Sequence, residues 1–85
     1  MEIVLSPEAK KDLIFWKKSG NKQIQKKIEE LIIDIQAHPF SGIGQPEALK
    51  FNLSGFWSRR INREHRIIYK VVDGVIEVTS LKGHY

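Results

Sequence analysis

The chain has 85 residues, a formal net charge of +4 and no cysteine, and its sequence pI is about 9.5. A domain of this length buries only roughly two-thirds of its unfolded surface, which leaves one modest core and favours a large substrate met on an open face over a small enclosed one. Without cysteine there is no disulfide, thiolate metal site or thiol nucleophile, and the excess of cations favours anionic partners, nucleic acid foremost.

Met1-Glu2-Ile3-Val4-Leu5 lacks the basic start and long apolar run of a signal peptide. Leu31-Ile32-Ile33 is far too short an apolar run to cross a bilayer. A small secreted domain more often carries disulfides. These features predict one domain over residues 1–85, cytoplasmic and with no membrane association.

Glu2 to Leu5 predicts a first strand. Ser6-Pro7 then starts a helix, with Ser6 capping free amides and Pro7 at the first helical position. Ala9, Leu13 and Trp16 fall on one face of it. Gly20-Asn21 ends that helix and opens the next. In the second helix Ile24, Ile28, Leu31, Ile32 and Ile35 form an apolar stripe. Lys22, Lys26, Lys27, Glu29, Glu30 and Asp34 fall off it. Pro39 stops the helix near His38. Phe40 to Gln45 is a loop. Leu49 to Leu53, Trp57 to Ile61, Arg66 to Val72 and Val75 to Leu81 predict four more strands. The order predicts an α+β domain in which helices cover one face of a mainly antiparallel, twisted sheet of about five strands.

Asp73-Gly74 is a two-residue hairpin signal. Such a turn pairs Val72 with Val75, Val71 with Ile76, Lys70 with Glu77 and Tyr69 with Val78. Continued, it pairs Ile68 with Thr79, Ile67 with Ser80 and Arg66 with Leu81. Because side chains alternate between faces, Ile67, Tyr69, Val71, Ile76 and Val78 share the face that helices cover. Arg66, Ile68, Lys70, Glu77, Thr79 and Leu81 share the other, with Lys70 and Glu77 a favourable cross-strand pair. A slip of one residue would reverse every assignment.

The segment from Pro46 to Arg66, with Gly83-His84-Tyr85, holds a carboxylate, an imidazole and several cations. RNA carries its own nucleophile, the ribose 2′-hydroxyl beside the scissile phosphate. Cleavage without a metal needs a base for that proton, an acid for the departing 5′-oxygen and cations for the charge growing on phosphate. Arg meets those oxygens through a rigid fork. His84 lies beside the Tyr85 carboxylate, and a neighbouring negative charge favours the protonated imidazole that a general acid needs.

Those same residues resemble the YoeB family of bacterial toxins, relatives of RelE. The resemblance covers essentially the whole chain. It is strongest from Pro46 to Arg66, including Leu49-Lys50 and Ser58-Arg59-Arg60-Ile61, and at His84-Tyr85. It implies a RelE-like, microbial-ribonuclease-like fold and a toxin of a type II toxin–antitoxin system that cleaves mRNA in the ribosomal A site. It maps a general base onto Glu47, transition-state stabilisation onto Arg66 and a general acid onto His84. Lys50 and Arg60 become phosphate contacts, and Tyr85 stacks on an mRNA base. The resemblance implies no metal or other cofactor. Implied partners are a YefM-like antitoxin, the 70S ribosome with 16S RNA in its 30S A site, and operator DNA reached only through the antitoxin complex. A homodimer is compatible with it. Family members often place His where Phe51 stands, so a proton-relay role there is absent.

Two other functions share this fold or surface. One is a ParE-like toxin that poisons a topoisomerase, a branch without the Glu, Arg and His set. The other is a non-catalytic antitoxin-binding or repressor module, against which no helix-turn-helix is evident. Ordinary structural roles account for other residues. Arg59 alternates with Arg60 and faces away from any groove Arg60 lines. His65 faces opposite Arg66, Arg63 is a solvated turn residue, and His38 sits near a helix C-terminus. The three histidines show no metal-ligand spacing. Trp16, Phe56, Trp57 and Tyr69 read as core or near-core aromatics. The three mapped catalytic residues are expected to converge on the sheet face that the helices leave open.

Overall fold

The computed structural model describes residues 1–83. The chain runs β1 (Glu2–Leu5), α1 (Pro7–Ser19), α2 (Lys22–Ala37), β2 (Glu47–Ala48), a 3₁₀ turn (Phe51–Leu53), β3 (Phe56–Arg60), β4 (Arg66–Val72) and β5 (Val75–Ser80). The sheet order is β1-β5-β4-β3-β2. β1 lies parallel to β5 and every other pair is antiparallel. Two helices on a five-stranded mixed sheet make the expected α+β fold.

Local chemistry sets the helix ends. The Ser6 hydroxyl accepts from the Ala9 amide at 3.0 Å and Pro7 opens α1. Gly20, at φ +73°, closes it in the left-handed region where a Cβ would be strained. Asn21 caps α2 through the Ile24 amide at 3.1 Å. Ile24, Ile28, Leu31 and Ile35 are buried against the sheet. Each gains about 1.5–3 kcal/mol by leaving water, whereas helix propensity separates ordinary residues by at most about 0.7 kcal/mol. Packing, not propensity, therefore holds α2 in place.

The covered face of the sheet supplies Ile67, Tyr69, Ile76, Val78 and Leu81 to the core, with Ile3, Leu5, Trp57 and Val71 packed at its edge. The turn has Asp73 at φ +50° and Gly74 at φ +76°, the geometry that matches hairpin twist. Pairing follows expectation from Val72↔Val75 to Tyr69↔Val78, and Lys70 and Glu77 approach to 3.7 Å.

Two expectations are corrected. Beyond Tyr69 the ladder slips: Ile68 pairs with Ser80, not Thr79. Thr79 is the extra residue of a β-bulge. Its displaced carbonyl accepts from the Ser6 hydroxyl at 2.8 Å. The bulge turns Leu81 to the helix side, where it is fully buried. There its amide donates to Asp12 Oδ2 at 2.9 Å and its carbonyl accepts from Trp16 Nε1 at 2.8 Å. The second correction is at Leu49 to Leu53. The strand lies earlier, at Glu47–Ala48, and the Leu49 amide donates to the Phe56 carbonyl at 2.9 Å. The intervening Asn52 and Ser54-Gly55 are turn formers. Phe51, at φ +60°, leads the turn and is 91% exposed.

Candidate active site

Strand pairing assembles one open groove on the uncovered face. Glu47 stands opposite Ser58, Ser58 opposite Ile68, and Arg60 opposite Arg66. These five residues, with Gln45, Pro46 and Leu49, line a groove of about 410 Å³. Its chemistry is one carboxylate, two guanidiniums, a hydroxyl and an amide, with Pro46, Leu49 and Ile68 completing the lining. That set suits an anionic substrate carrying a transferable proton.

Each wall has its own support. Arg66 leads β4, and its Nη1 donates to the carbonyls of Asn62 at 2.7 Å and Arg63 at 3.2 Å. The loop holding those carbonyls is turned by Asn62, whose Oδ1 accepts from the amides of Glu64 at 2.9 Å and His65 at 2.8 Å. This is the side-chain turn to which Asn is suited. Arg66 is thereby aimed by its own approach loop. Arg60 ends β3, and its amide donates to the Gly44 carbonyl at 2.7 Å. Glu47 is exposed and follows a loop held by Arg59.

Arg59 points to the helix side and is fully buried. It pairs with Asp34 at 2.5 Å and donates to the Tyr69 hydroxyl at 3.1 Å. It also donates to the carbonyls of His38, Ser41 and Ile43. The hydrogen bond from Arg59 holds the Asp34 carboxyl below its ordinary value, helped by the Ile43 amide against partial burial. Burial pushes the Tyr69 phenol up, and the neighbouring Arg59 opposes that shift.

The end of the described chain is also tied down. The Gly83 amide donates to His65 Nδ1 at 3.0 Å and its carbonyl accepts from the Arg66 amide at 2.8 Å. The His65 ring sits edge-on to Trp16, with centroids 4.8 Å apart. His65 therefore acts as an acceptor that seats the residue before His84.

The structure brings Glu47, Arg60 and Arg66 together. Lys50 is exposed at the start of the 3₁₀ turn, beside the groove rather than among its lining residues. His84 and Tyr85, expected as general acid and stacking residue, lie outside the described residues. Sequence reasoning passed over Ser58 and Gln45. Ser58 was recoverable, because it alternates with Arg59 and so shares a face with Arg60. Gln45 carries no periodic signal. Among the described residues no group of three or more His, Asp or Glu side chains is placed to hold a metal ion, and no helix is long and apolar enough to cross a membrane.

Comparison with known proteins identifies the fold and the family. The family model for YoeB-like toxins of bacterial type II toxin–antitoxin systems matches residues 5–85. Toxin YoeB of Escherichia coli K12 is 47% identical over 85 residues, covering 100% of both chains. The solved YoeB/ParE toxin from Agrobacterium tumefaciens superposes with a TM-score of 0.93 at 37% identity, covering 100% of both chains. YoeB in a YoeB–YefM complex from Staphylococcus aureus gives a TM-score of 0.88 at 45% identity, covering 100% of this chain and 98% of that one. With this identity running the full length of the chain, the protein belongs to the YoeB-like toxin family of bacterial type II toxin–antitoxin systems.

Proposed function

We propose that this chain is a ribosome-dependent mRNA endoribonuclease that halts translation by cutting the message in the A site. The observation that carries the reading is the meeting of Glu47, Arg60 and Arg66 in one open groove. Glu47 takes the proton from the ribose 2′-hydroxyl. The 2′-oxygen attacks phosphorus and the bond to the 5′-oxygen breaks. Arg66 and Arg60 neutralise the charge that grows on the phosphate oxygens, and Lys50 adds positive field at the rim. His84, mapped by family resemblance, returns a proton to the leaving 5′-oxygen, and Tyr85 stacks on a base. The products are a 2′,3′-cyclic phosphate and a 5′-hydroxyl. Each step is complete without a metal ion.

A groove this shallow positions little of a long substrate by itself. Decoding-centre RNA and the A-site codon supply the remaining orientation, an effect that makes free RNA a poor substrate. The partner that restrains the enzyme is a YefM-like antitoxin, as in the staphylococcal complex. Together the two bind operator DNA and repress their own operon. A homodimer is a second assembly, in line with the YoeB dimer solved from the same organism.

The test is to express the chain under tight control and map mRNA ends within minutes. Glu47→Gln is expected to lower the cleavage rate by about 10²–10⁴-fold, the usual contribution of a positioned base. Glu47 is exposed, so the same change should move stability by no more than about 0.5 kcal/mol. Unchanged cleavage in Glu47→Gln and His84→Ala would overturn the site assignment. DNA damage with intact mRNA would instead point to a topoisomerase poison.

A further inference from the structure

Arg59 stands one residue from the groove yet points away from it, into the protein. Its guanidinium has five N–H donors, and all five are taken. Nε donates to the Tyr69 hydroxyl, Nη1 to Asp34 and the Ile43 carbonyl, and Nη2 to the carbonyls of His38 and Ser41. The Tyr69 hydroxyl in turn donates to the Pro39 carbonyl at 2.6 Å. Asp34 Oδ2 also accepts from the Ile43 amide at 3.1 Å.

These bonds converge on one segment, the loop between α2 and β2. Its carbonyls at His38, Pro39, Ser41 and Ile43 are bonded by the Arg59 and Tyr69 side chains, and that at Gly44 by the Arg60 amide. The loop's large apolar side chains are only partly covered: Phe40 is 53% and Ile43 42% exposed, and the Phe40 ring meets Trp57 at a centroid distance of 5.0 Å. The loop also passes so close to the pair that a Cβ at Gly42 would lie 2.0 Å from Asp34 Oδ2. Gln45, Pro46 and Glu47 follow directly and line the groove.

An ion pair of this kind is a poor device for stability alone. Removing two charges from water costs about as much as their attraction returns, and well-packed apolar replacements are often neutral or better. What apolar side chains cannot reproduce is a rigid fork that holds several carbonyls in fixed directions.

We propose that the Arg59–Asp34 pair is a positioning clamp: it holds the loop from His38 to Gly44 so that the Glu47 carboxylate meets the substrate, and it thereby sets the cleavage rate through Glu47. This rests on the reading of Glu47 as the base. Arg59 touches no substrate and acts only through the loop. Misplacing a reacting group by about 1 Å can cost on the order of 100-fold in rate. Arg60 and Arg66 remain to bind the phosphate when the clamp is lost, so KM should hold.

The test uses the full chain on programmed ribosomes. The double variant Asp34→Leu/Arg59→Met removes both charges together. It is expected to keep its fold, with amides of β4 and β5 exchanging hydrogen as in the wild type, while loop amides exchange about tenfold or more faster. Its kcat should fall by about 100-fold with KM within about threefold. In a Glu47→Gln background the same double change should cost almost nothing further, because both act on one step. Should the double variant not fold, Arg59→Lys provides the same readouts, since an ammonium has three donors and no planar fork. Loop amides as protected as in the wild type would overturn the clamp, as would a freed loop with wild-type kcat. Fully additive losses with Glu47→Gln would overturn it too. Wild-type cleavage by Glu47→Gln alone is a different failure, because it removes the base assignment beneath the clamp.

Discussion

Arg60 on β3 and Arg66 on β4 are direct cross-strand partners, two cations side by side on the face that the helices leave open. Like charges in that relation cost roughly 0.2–1 kcal/mol. Further along the same face Lys70 stands opposite Glu77 instead, so the open face is not uniformly cationic. The repulsion between the two arginines is relieved when an anion sits between them. Arg60→Gln should therefore raise stability slightly in chloride and abolish the extra stabilisation that phosphate confers at matched ionic strength. Thermal unfolding in the two salts reads both effects. A variant that is less stable in chloride and responds to phosphate as the wild type does would show that the pair is not an anion site.

Gly44 is where the clamped loop crosses α2 and β3. It sits at φ +81°, and a Cβ there would lie 2.6 Å from Leu31 Cδ2 and 3.3 Å from the Arg60 carbonyl. Gly44→Ala combines a disfavoured backbone with overpacking and should cost about 1–3 kcal/mol or more. Gly55, at φ +96°, has open space around its Cβ direction, so Gly55→Ala meets the backbone term alone. Urea denaturation should rank Gly44→Ala well below Gly55→Ala, and equal midpoints would contradict the close approach.

Stability should depend on pH at both ends through the same network. The Asp34 carboxyl is held below its ordinary value of 3.8, chiefly by the hydrogen bond from Arg59. Its contribution is complete above that value and is lost as pH falls through the lower folded value. Burial raises the Tyr69 phenol above its ordinary value of 10.0. That contribution is complete below pH 10.0 and is lost as pH rises towards the higher folded value. Unfolding free energy measured against pH should therefore fall at the acid end with a component absent from Asp34→Asn. It should fall at the alkaline end with a component absent from Tyr69→Phe. Identical slopes in the variants would remove the two groups as the cause.

His65 joins the last described residue to the core. His65→Phe keeps an aromatic edge against Trp16 but removes the Nδ1 that accepts from the Gly83 amide. The buried share of that lost bond is worth about 1 kcal/mol, and the Gly83 amide should exchange faster than in the wild type. If His65→Phe leaves that amide fully protected, the ring packing rather than the hydrogen bond seats the segment.

Most of the scaffold was legible in the residues. Ser6-Pro7, Gly20-Asn21 and Pro39 mark helix ends by local chemistry, and Asp73-Gly74 marks the hairpin with its register as far as Tyr69. Strand alternation correctly separated Arg59 from Arg60. Three features were not legible. Leu49 to Leu53 has strand-like composition but folds as a turn, because Asn52 and Ser54-Gly55 close the connection to β3. Asp34 reads as a solvated off-stripe carboxylate until β3 brings Arg59 beneath it. The bulge at Thr79 cannot be seen in the hairpin, because its stabilising partners, Ser6, Asp12 and Trp16, come from the other end of the chain.

Residue order alone determined both helices, the strands β1, β3, β4 and β5, the hairpin faces as far as Tyr69 and the chemistry available, since capping, periodicity and turn geometry act over a few neighbours. Which cation is buried and which meets solvent, where the ladder slips, and how Glu47 is delivered beside Arg60 and Arg66 were decided by tertiary structure. The physical reason is that a buried charge or displaced carbonyl must find a partner, and here those partners are distant in sequence and adjacent only after folding.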